Sequence, residues 1–243
     1  MKSAMISLAM AKAPERPTKL GVIQSCTVMN ALSESERSRV AEESTMAYAA
    51  RGEPIWLAGA PAVFFSVVGV GFVKMSRTTP QGAEVAVELL VPGQCFGLLA
   101  ALQGNTFPLS AIAVTDLWYL KVQAGLLHTI YNDNPGLRDQ MLRAIAPRLH
   151  RAHEMMARMS TGKVEQRIAA VLLILMDSCG ESAGSDVRLN VPLTRQDIAE
   201  MAGTTVETTI RAMSRWQKDG RISTDHQVIT IHDAAALQRA LLE

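Results

Sequence analysis

Glu207, Ile210, Arg211 and Ser214 lie 0, 3, 4 and 7 positions along one short stretch of the chain. In a helix that spacing puts all four on one face. Together they suit the edges of base pairs. A carboxylate accepts from the cytosine amino group, a guanidinium donates to guanine or a phosphate, and an aliphatic chain touches a thymine methyl. Plainer readings stay open beside this one. Glu207 and Arg211 also make an exposed i,i+4 ion pair worth about 0.2–0.5 kcal/mol, and Ile210 is core if the register is one step off.

The surrounding residues supply elements to position that face. "LTRQDIAEMAGTTVETTIRAMSRWQKDGRI" (193–222) reads as two short helices around a tight turn. Thr194 can cap the first helix, whose Ile198, Ala199 and Ala202 face inward. Gly203 supplies the positive φ the turn needs, and Thr205 can cap the second helix. Thr209, Met213 and Trp216, at i, i+4 and i+7, should pack against the first helix. "RISTDHQVITIHD" (221–233) reads as a β-hairpin and "DAAALQRALLE" as a closing helix, which is winged-helix order.

Upstream the texture differs. Residues 1–20 read as a mobile tail broken by Pro14 and Pro17; its start imitates a signal peptide, but the apolar run is short and interrupted. Residues 33–50 have helical composition behind a Ser cap. Residues 61–77, 83–91 and 109–122 are β-rich with Gly/Pro turns, which argues for an antiparallel roll or sandwich. Residues 134–160 form a long helix in which Leu142, Ile145, Leu149, Ala152, Met156 and Met159 step by 3 and 4. Such an a/d seam, with Arg143, Arg148, Arg151 and Arg158 turned outward, points to a dimer; an apolar stripe packed on its own domain is the alternative. Pro147 should kink this helix. Residues 163–180 form a further helix and "VRLNVPL" a short strand.

The 243 residues carry a net charge of +1, unevenly spread. Residues 1–20 hold +3, 21–133 −3, 134–160 +3 and 161–243 −2. Nucleic-acid binding by the C-terminal unit must then rest on locally placed Arg and Lys rather than a bulk field. Three scattered cysteines, Cys26, Cys95 and Cys179, make no disulfide framework and no CxxC ligand pair, which fits a cytoplasmic protein. The longest apolar run, 168–176, is too short to span a bilayer, so no membrane partner is expected. Enzyme classes find no footing. Residues 21–127 contain no histidine for a metal-dependent β-roll oxygenase, no Ser-His-Asp set or Walker loop occurs, and "GVGFV" (69–73) reads as a Gly pair inside a strand.

The helix pair resembles that of the cAMP-receptor/Fnr (Crp/Fnr) family of bacterial regulators. "TRQDIAEMAG" and "TTVETTIRAM" are close to the family pattern, and Val206-Glu207-Thr208 is like the Fnr branch. "VPGQCFG" (91–97) looks like the family's Pro-Gly-Asp-x-Phe-Gly turn with Gln94 in the Asp position, and "NPGL" before the long helix also matches. The resemblance covers roughly residues 21–233. It implies an α+β chain: a flexible tail (1–20), a cyclic-nucleotide-binding-type β-roll sensor (21–133), a dimerisation helix (134–160) and a winged helix-turn-helix (161–243). It makes Thr194, Arg195, Thr204, Thr205, Val206, Glu207, Ile210, Arg211 and Ser214 the candidate DNA contacts. The partner it implies is double-stranded DNA with inverted half-sites of TGA-like core, read by a homodimer, with RNA polymerase as a further partner of an activator. Ile210 departs from the Fnr-branch Ser, which puts the first thymine of the half-site in doubt.

The effector is less legible. The family's cAMP pocket needs a Glu after the Phe-Gly turn and an Arg-Ser pair on the next strand; this chain has Leu98 and Leu109-Ser110. Phe96, Gly97, Leu98, Leu99, Leu109 and Ser110 are the candidate effector pocket, and a phosphate there would be an unpaired buried charge. cAMP is therefore not expected. Neither is an iron–sulfur cluster, since Cys26 and Cys95 are too few. Haem is permitted, with His150, His153, Met75, Met155 or Met156 as ligand choices, although surface histidines are the simpler reading. A Cys26–Cys95 redox response and a ligand-binding module whose winged helix contacts protein are the alternatives to a small-molecule-controlled regulator.

Overall fold

The computed structural model describes residues 13–241, with backbone alone at 160 and 161. Part of the stretch read as a tail, 1–12, lies outside the described residues. The remainder of it is anchored: Trp118 Nε1 donates to the Pro14 carbonyl at 2.9 Å, and Arg16 lies over the same indole. Thr18 caps helix α1 (Lys19–Ser25), which a 3-10 turn (Thr27–Ala31) follows. Helix α2 (Glu34–Glu43) starts at a capping box between Ser33 and Glu36. It is shorter than the helix expected over 33–50. Its last residues belong to strand β1 (Thr45–Ala49), because pairing with β8 (Leu117–Gln123), Ala47 opposite Tyr119, outweighs their helical composition.

Two four-stranded antiparallel sheets make the roll. One runs in the order β1, β8, β3 (Phe64–Val70), β6 (Cys95–Phe96). The other runs β2 (Pro54–Trp56), β7 (Ser110–Ala113), β4 (Val73–Thr78), β5 (Glu84–Leu90). The run 109–122 is thus two strands, not one. The glycines of "GVGFV" straddle a strand end and a turn rather than sitting inside one strand. At Gly71, φ is +92° and a Cβ would stand 2.4 Å from the Asp116 carbonyl, so only glycine fits. Gln94 serves where the family has Asp, accepting from the Val91 N–H at 3.2 Å. Between the sheets lies one apolar core; a second fills the space under α1, α2, α3 (Leu98–Gln103) and α4 (Ala124–Asp133).

Asn134 caps α5 (Pro135–Thr161), which runs unbroken through Pro147. Helix α6 (Val164–Cys179) then enters the C-terminal unit, burying Ile168, Val171, Leu172 and Leu175 as its period requires. Strands β9 (Gly180–Ala183) and β10 (Asp186–Leu189), helices α7 (Arg195–Ala202) and α8 (Val206–Lys218), the hairpin β11 (Ile222–Asp225)–β12 (Val228–Ile231) and α9 (Ala234–Ala240) complete it. Its core extends into the sensor unit through Ala86, Leu89 and Val114. Among the described residues no helix is long and apolar enough to cross a membrane.

Candidate nucleic-acid interface and sensor interior

The helix pair is built by its caps. Thr194 and Asp197 form a capping box: the Asp197 N–H donates to Thr194 Oγ1 at 3.1 Å, and the Thr194 N–H to Asp197 Oδ2 at 2.9 Å. Gly203 takes φ +58°, and Thr205 Oγ1 accepts the Thr208 N–H at 3.2 Å. With α8 so started, Thr209, Ala212, Met213 and Trp216 are buried. Glu207, Arg211 and Ser214 are exposed, and Ile210 keeps 46% of its surface in solvent. The register is therefore the one that presents Ile210 outward. Glu207 and Arg211 are paired with each other, both largely solvated. Thr204 and Val206 are half-buried, and Thr205 is exposed at the helix start. Arg195 is tied to the wing through Thr224 Oγ1 at 3.0 Å.

The long helix has two faces. Leu137, Met141, Ala144 and Arg148 turn toward the sensor core. Arg148 therefore does not point outward as the heptad reading had it: Nη1 donates to the Cys95 carbonyl at 3.0 Å and Nε pairs with Glu88 at 3.1 Å. Leu142, Leu149, Met156 and Met159 are 67%, 54%, 66% and 40% exposed, Ala152 is exposed and Ile145 half-buried. The single chain leaves most of this apolar stripe in solvent, with Ile145 half-buried. At the C-terminal end of the stripe, Met159 Cε occupies the space beside Gly203, 2.3 Å from where a Cβ would stand. Arg167 donates to the carbonyls of Ala202 at 3.0 Å and Gly203 at 3.3 Å.

Two inter-domain contacts had no signal in the sequence. Lys74 on β4 lies 3.2 Å from Asp197 and 2.5 Å from Glu200 on α7, with all three side chains at most 13% exposed. Burial works against the charge on each of Lys74 and Asp197. For Lys74 the two carboxylates outweigh it and raise the ammonium; for Asp197 the Thr194 bonds and Lys74 outweigh it and lower the carboxyl. Arg51 reaches from the sensor to Gln227 at the wing turn at 3.0 Å.

The candidate effector residues do not line one pocket. Phe96 stacks on Trp56 (centroids 5.0 Å apart), which stacks on Phe107 (4.0 Å), with Phe64 edge-on to both Trp56 and Phe107. Gly97 lies against Trp56 and Phe107, at φ +73°. Leu98 is buried in the other core, Leu99 is 46% exposed, and Leu109 packs with the stack. Ser110 Oγ accepts the Ala58 N–H at 3.0 Å. Aromatic rings hold the space beside the Phe-Gly turn, and Leu109 stands next to Ser110, so these residues bring no cation to a phosphate there. The haem ligand choices are spread over different parts of the chain. His150 and His153 are exposed rather than turned to the sensor, His150 pairing with Glu154, and Met156 is on the outer stripe. Met155 packs against the C-terminal core, and Met75 is buried within the roll. A cavity in the sensor, lined by Cys26, Cys95, Leu98 and neighbouring apolar side chains, has a volume of about 20 Å³, far below the several hundred that ligand pockets of drug size occupy.

Comparison with known proteins agrees with this architecture. Residues 166–240 match the Crp-like helix-turn-helix domain, and residues 47–134 the cyclic nucleotide-binding domain. The chain is 30% identical over 193 residues to the global nitrogen regulator of Nostoc sp., spanning 78% of this chain and 86% of that one. It is 28% identical over 189 residues to the CRP-like cAMP-activated global transcriptional regulator of Mycobacterium tuberculosis, spanning 78% and 84%. The fold matches that of FixK2 from Bradyrhizobium japonicum with a TM-score of 0.73, at 23% identity, over 81% of this chain and 96% of that one. The chain belongs to the Crp/Fnr family of transcription regulators. It pairs a DNA-binding helix-turn-helix with a sensing domain of the cyclic-nucleotide-binding type, and its relatives are regulators rather than enzymes.

Proposed function

We propose that the protein is a cytoplasmic homodimer that binds inverted DNA half-sites with a TGA-like core, under the control of a signal in the roll other than a cyclic nucleotide. The face of α8 carries this reading: its rear is buried while Glu207, Ile210, Arg211 and Ser214 are exposed to solvent. Glu207 reads cytosine, Arg211 reads guanine, and the threonines at the starts of α7 and α8 approach phosphates. The uncovered stripe of α5 supports the dimer, which sets two α8 helices one helical turn apart. An activator of this kind also meets RNA polymerase. The effector and any cofactor are unassigned; haem would need a wider sensor interior than the one observed.

Fluorescence anisotropy on a duplex with inverted TGA half-sites, titrated with salt, tests the reading. Affinity falls steeply with salt because phosphate contacts release counterions, and Arg211→Ala costs about 1–3 kcal/mol at the guanine it reads. The acidic balance of residues 161–243, 9 basic against 11 acidic, favours the rival in which the winged helix contacts protein. Affinity that is flat with salt, or unchanged in Glu207→Ala and Arg211→Ala, would support that rival instead.

A further inference from the structure

Cys26 follows α1, and Cys95 opens β6. The register of β6 on β3, Cys95 opposite Val67, carries Cys95 into the core under the N-terminal helices. Gly93, two residues before Cys95, packs against the Ser25 carbonyl, so both thiols stand on the wall of the same apolar cavity, 0% and 4% exposed. Arg148 holds the Cys95 carbonyl and Glu88 from the long helix. We propose that Cys26 and Cys95 are a reversible dithiol/disulfide site, oxidised by hydrogen peroxide, whose state sets DNA affinity through Arg148. The inference rests on the DNA-binding reading above.

The chemistry divides between the two sulfurs. The neighbouring Cys95 thiol draws the Cys26 pKa down against the effect of burial, helped by Met29, Val28 and the Arg148 charge; Cys95 itself is held well above the ordinary thiol value. In the proposed reaction Cys26 is the nucleophile and Cys95 the resolving thiol. Its thiolate attacks one peroxide oxygen, the O–O bond breaks, and the departing hydroxide takes the proton Cys26 gave up and leaves as water. Cys95 sulfur then attacks the Cys26 sulfenic acid. The S–S bond forms, the S–O bond breaks, and the hydroxyl leaves with the Cys95 proton as a second water. Two thiols thus lose two electrons to one peroxide. The cavity, about 20 Å³, has room for a molecule of roughly water size, which suits a small uncharged oxidant over a bulky disulfide. Cys179 is an internal control: it lies in the other unit, its thiol donates to the Leu175 carbonyl, and burial pushes its pKa up to about 11.

The bond ties the backbone after α1 to the strand whose carbonyl Arg148 grips. The change is felt on α5, which carries the proposed seam on its other side and touches the helix-turn-helix at Met159.

The test treats the reduced full-length protein with stoichiometric hydrogen peroxide. Intact mass, peptide mapping under non-reducing conditions and anisotropy on the half-site duplex are then read. The expected product is lighter by about 2 Da, links 26 to 95 within one chain and leaves Cys179 alkylatable. Its DNA affinity differs at least about fivefold from the reduced form, the lower end of measured site couplings, and dithiothreitol restores it. Cys26→Ser keeps the reduced affinity and shows no shift; Arg148→Ala forms the bond without the shift. Linkage through Cys179, sulfinic acid without linkage, or linkage with unchanged affinity would overturn the inference, as would a full shift in Arg148→Ala. If the reduced protein binds no DNA at all, the DNA reading fails, while the mass map, which needs no variant, still decides the thiol chemistry.

Discussion

Replacing Lys74 with methionine removes the cation between Asp197 and Glu200 while keeping most of the buried stem. Breaking a buried pair from one side costs about 3–5 kcal/mol, because the partner charge stays behind without compensation. Here two carboxylates stay behind. Each keeps other bonds, Asp197 from Thr194 and Glu200 from Gln196 at 2.8 Å, and the three side chains retain 8–13% exposure. The low end applies, about 3 kcal/mol at neutral pH. Urea unfolding measures it. Lys74→Met/Asp197→Asn/Glu200→Gln, which leaves no stranded charge, should recover more than half of the loss. The pH dependence has a definite sign. Asp197 is held below its ordinary 3.8, so its contribution is complete above that pH and is lost as pH falls through its lower folded value. Lys74 is held above 10.5, so its contribution is complete below that pH and is lost as pH rises through its higher folded value. The difference between wild type and Lys74→Met should be largest near neutral pH, and shrink as acid protonates the stranded carboxylates or alkali removes the Lys74 proton. A loss under about 1 kcal/mol, or a difference that grows on acidification, would refute the reasoning.

Leu149→Glu places a charge in the middle of the uncovered α5 stripe. It should leave the fold intact, since more than half of the side chain's surface already faces solvent, but shift sedimentation from dimer to monomer and weaken binding to paired half-sites. Trp56→Ala removes the centre of the aromatic stack and the bond from Nε1 to the Leu109 carbonyl at 3.0 Å. A large-to-small change of this kind costs about 3–5 kcal/mol; a cost below about 1 kcal/mol in urea unfolding would mean the rings are not the packed interior described here.

The C-terminal unit was legible because its signals are local. Thr194, Gly203 and Thr205 punctuate the helices, and Thr209, Met213 and Trp216 keep the period that buries one face. The roll was legible only as β-rich runs. Strands β2 and β6, of three and two residues, are too short to show alternation, and 45–49 becomes a strand only through its pairing with β8. Side-chain direction on α5 was half legible. The 3-4 steps located the outer stripe, but nothing in a heptad pattern says that Arg148 turns inward to a carbonyl on another element. Lys74 gave no signal at all, being one lysine in a strand. Cys26 and Cys95 looked scattered because the register that carries Cys95 into the core under the N-terminal helices is a long-range property.

The most direct measurement is selection of bound duplexes from a random DNA pool by the wild-type protein and by its Glu207→Ala and Arg211→Ala variants. The account predicts enrichment of an inverted repeat with TGA-like cores about 10 bp apart, centre to centre, and relaxed preference in each variant at the base its missing side chain reads. No enriched repeat, or the same repeat at full strength from both variants, would contradict it.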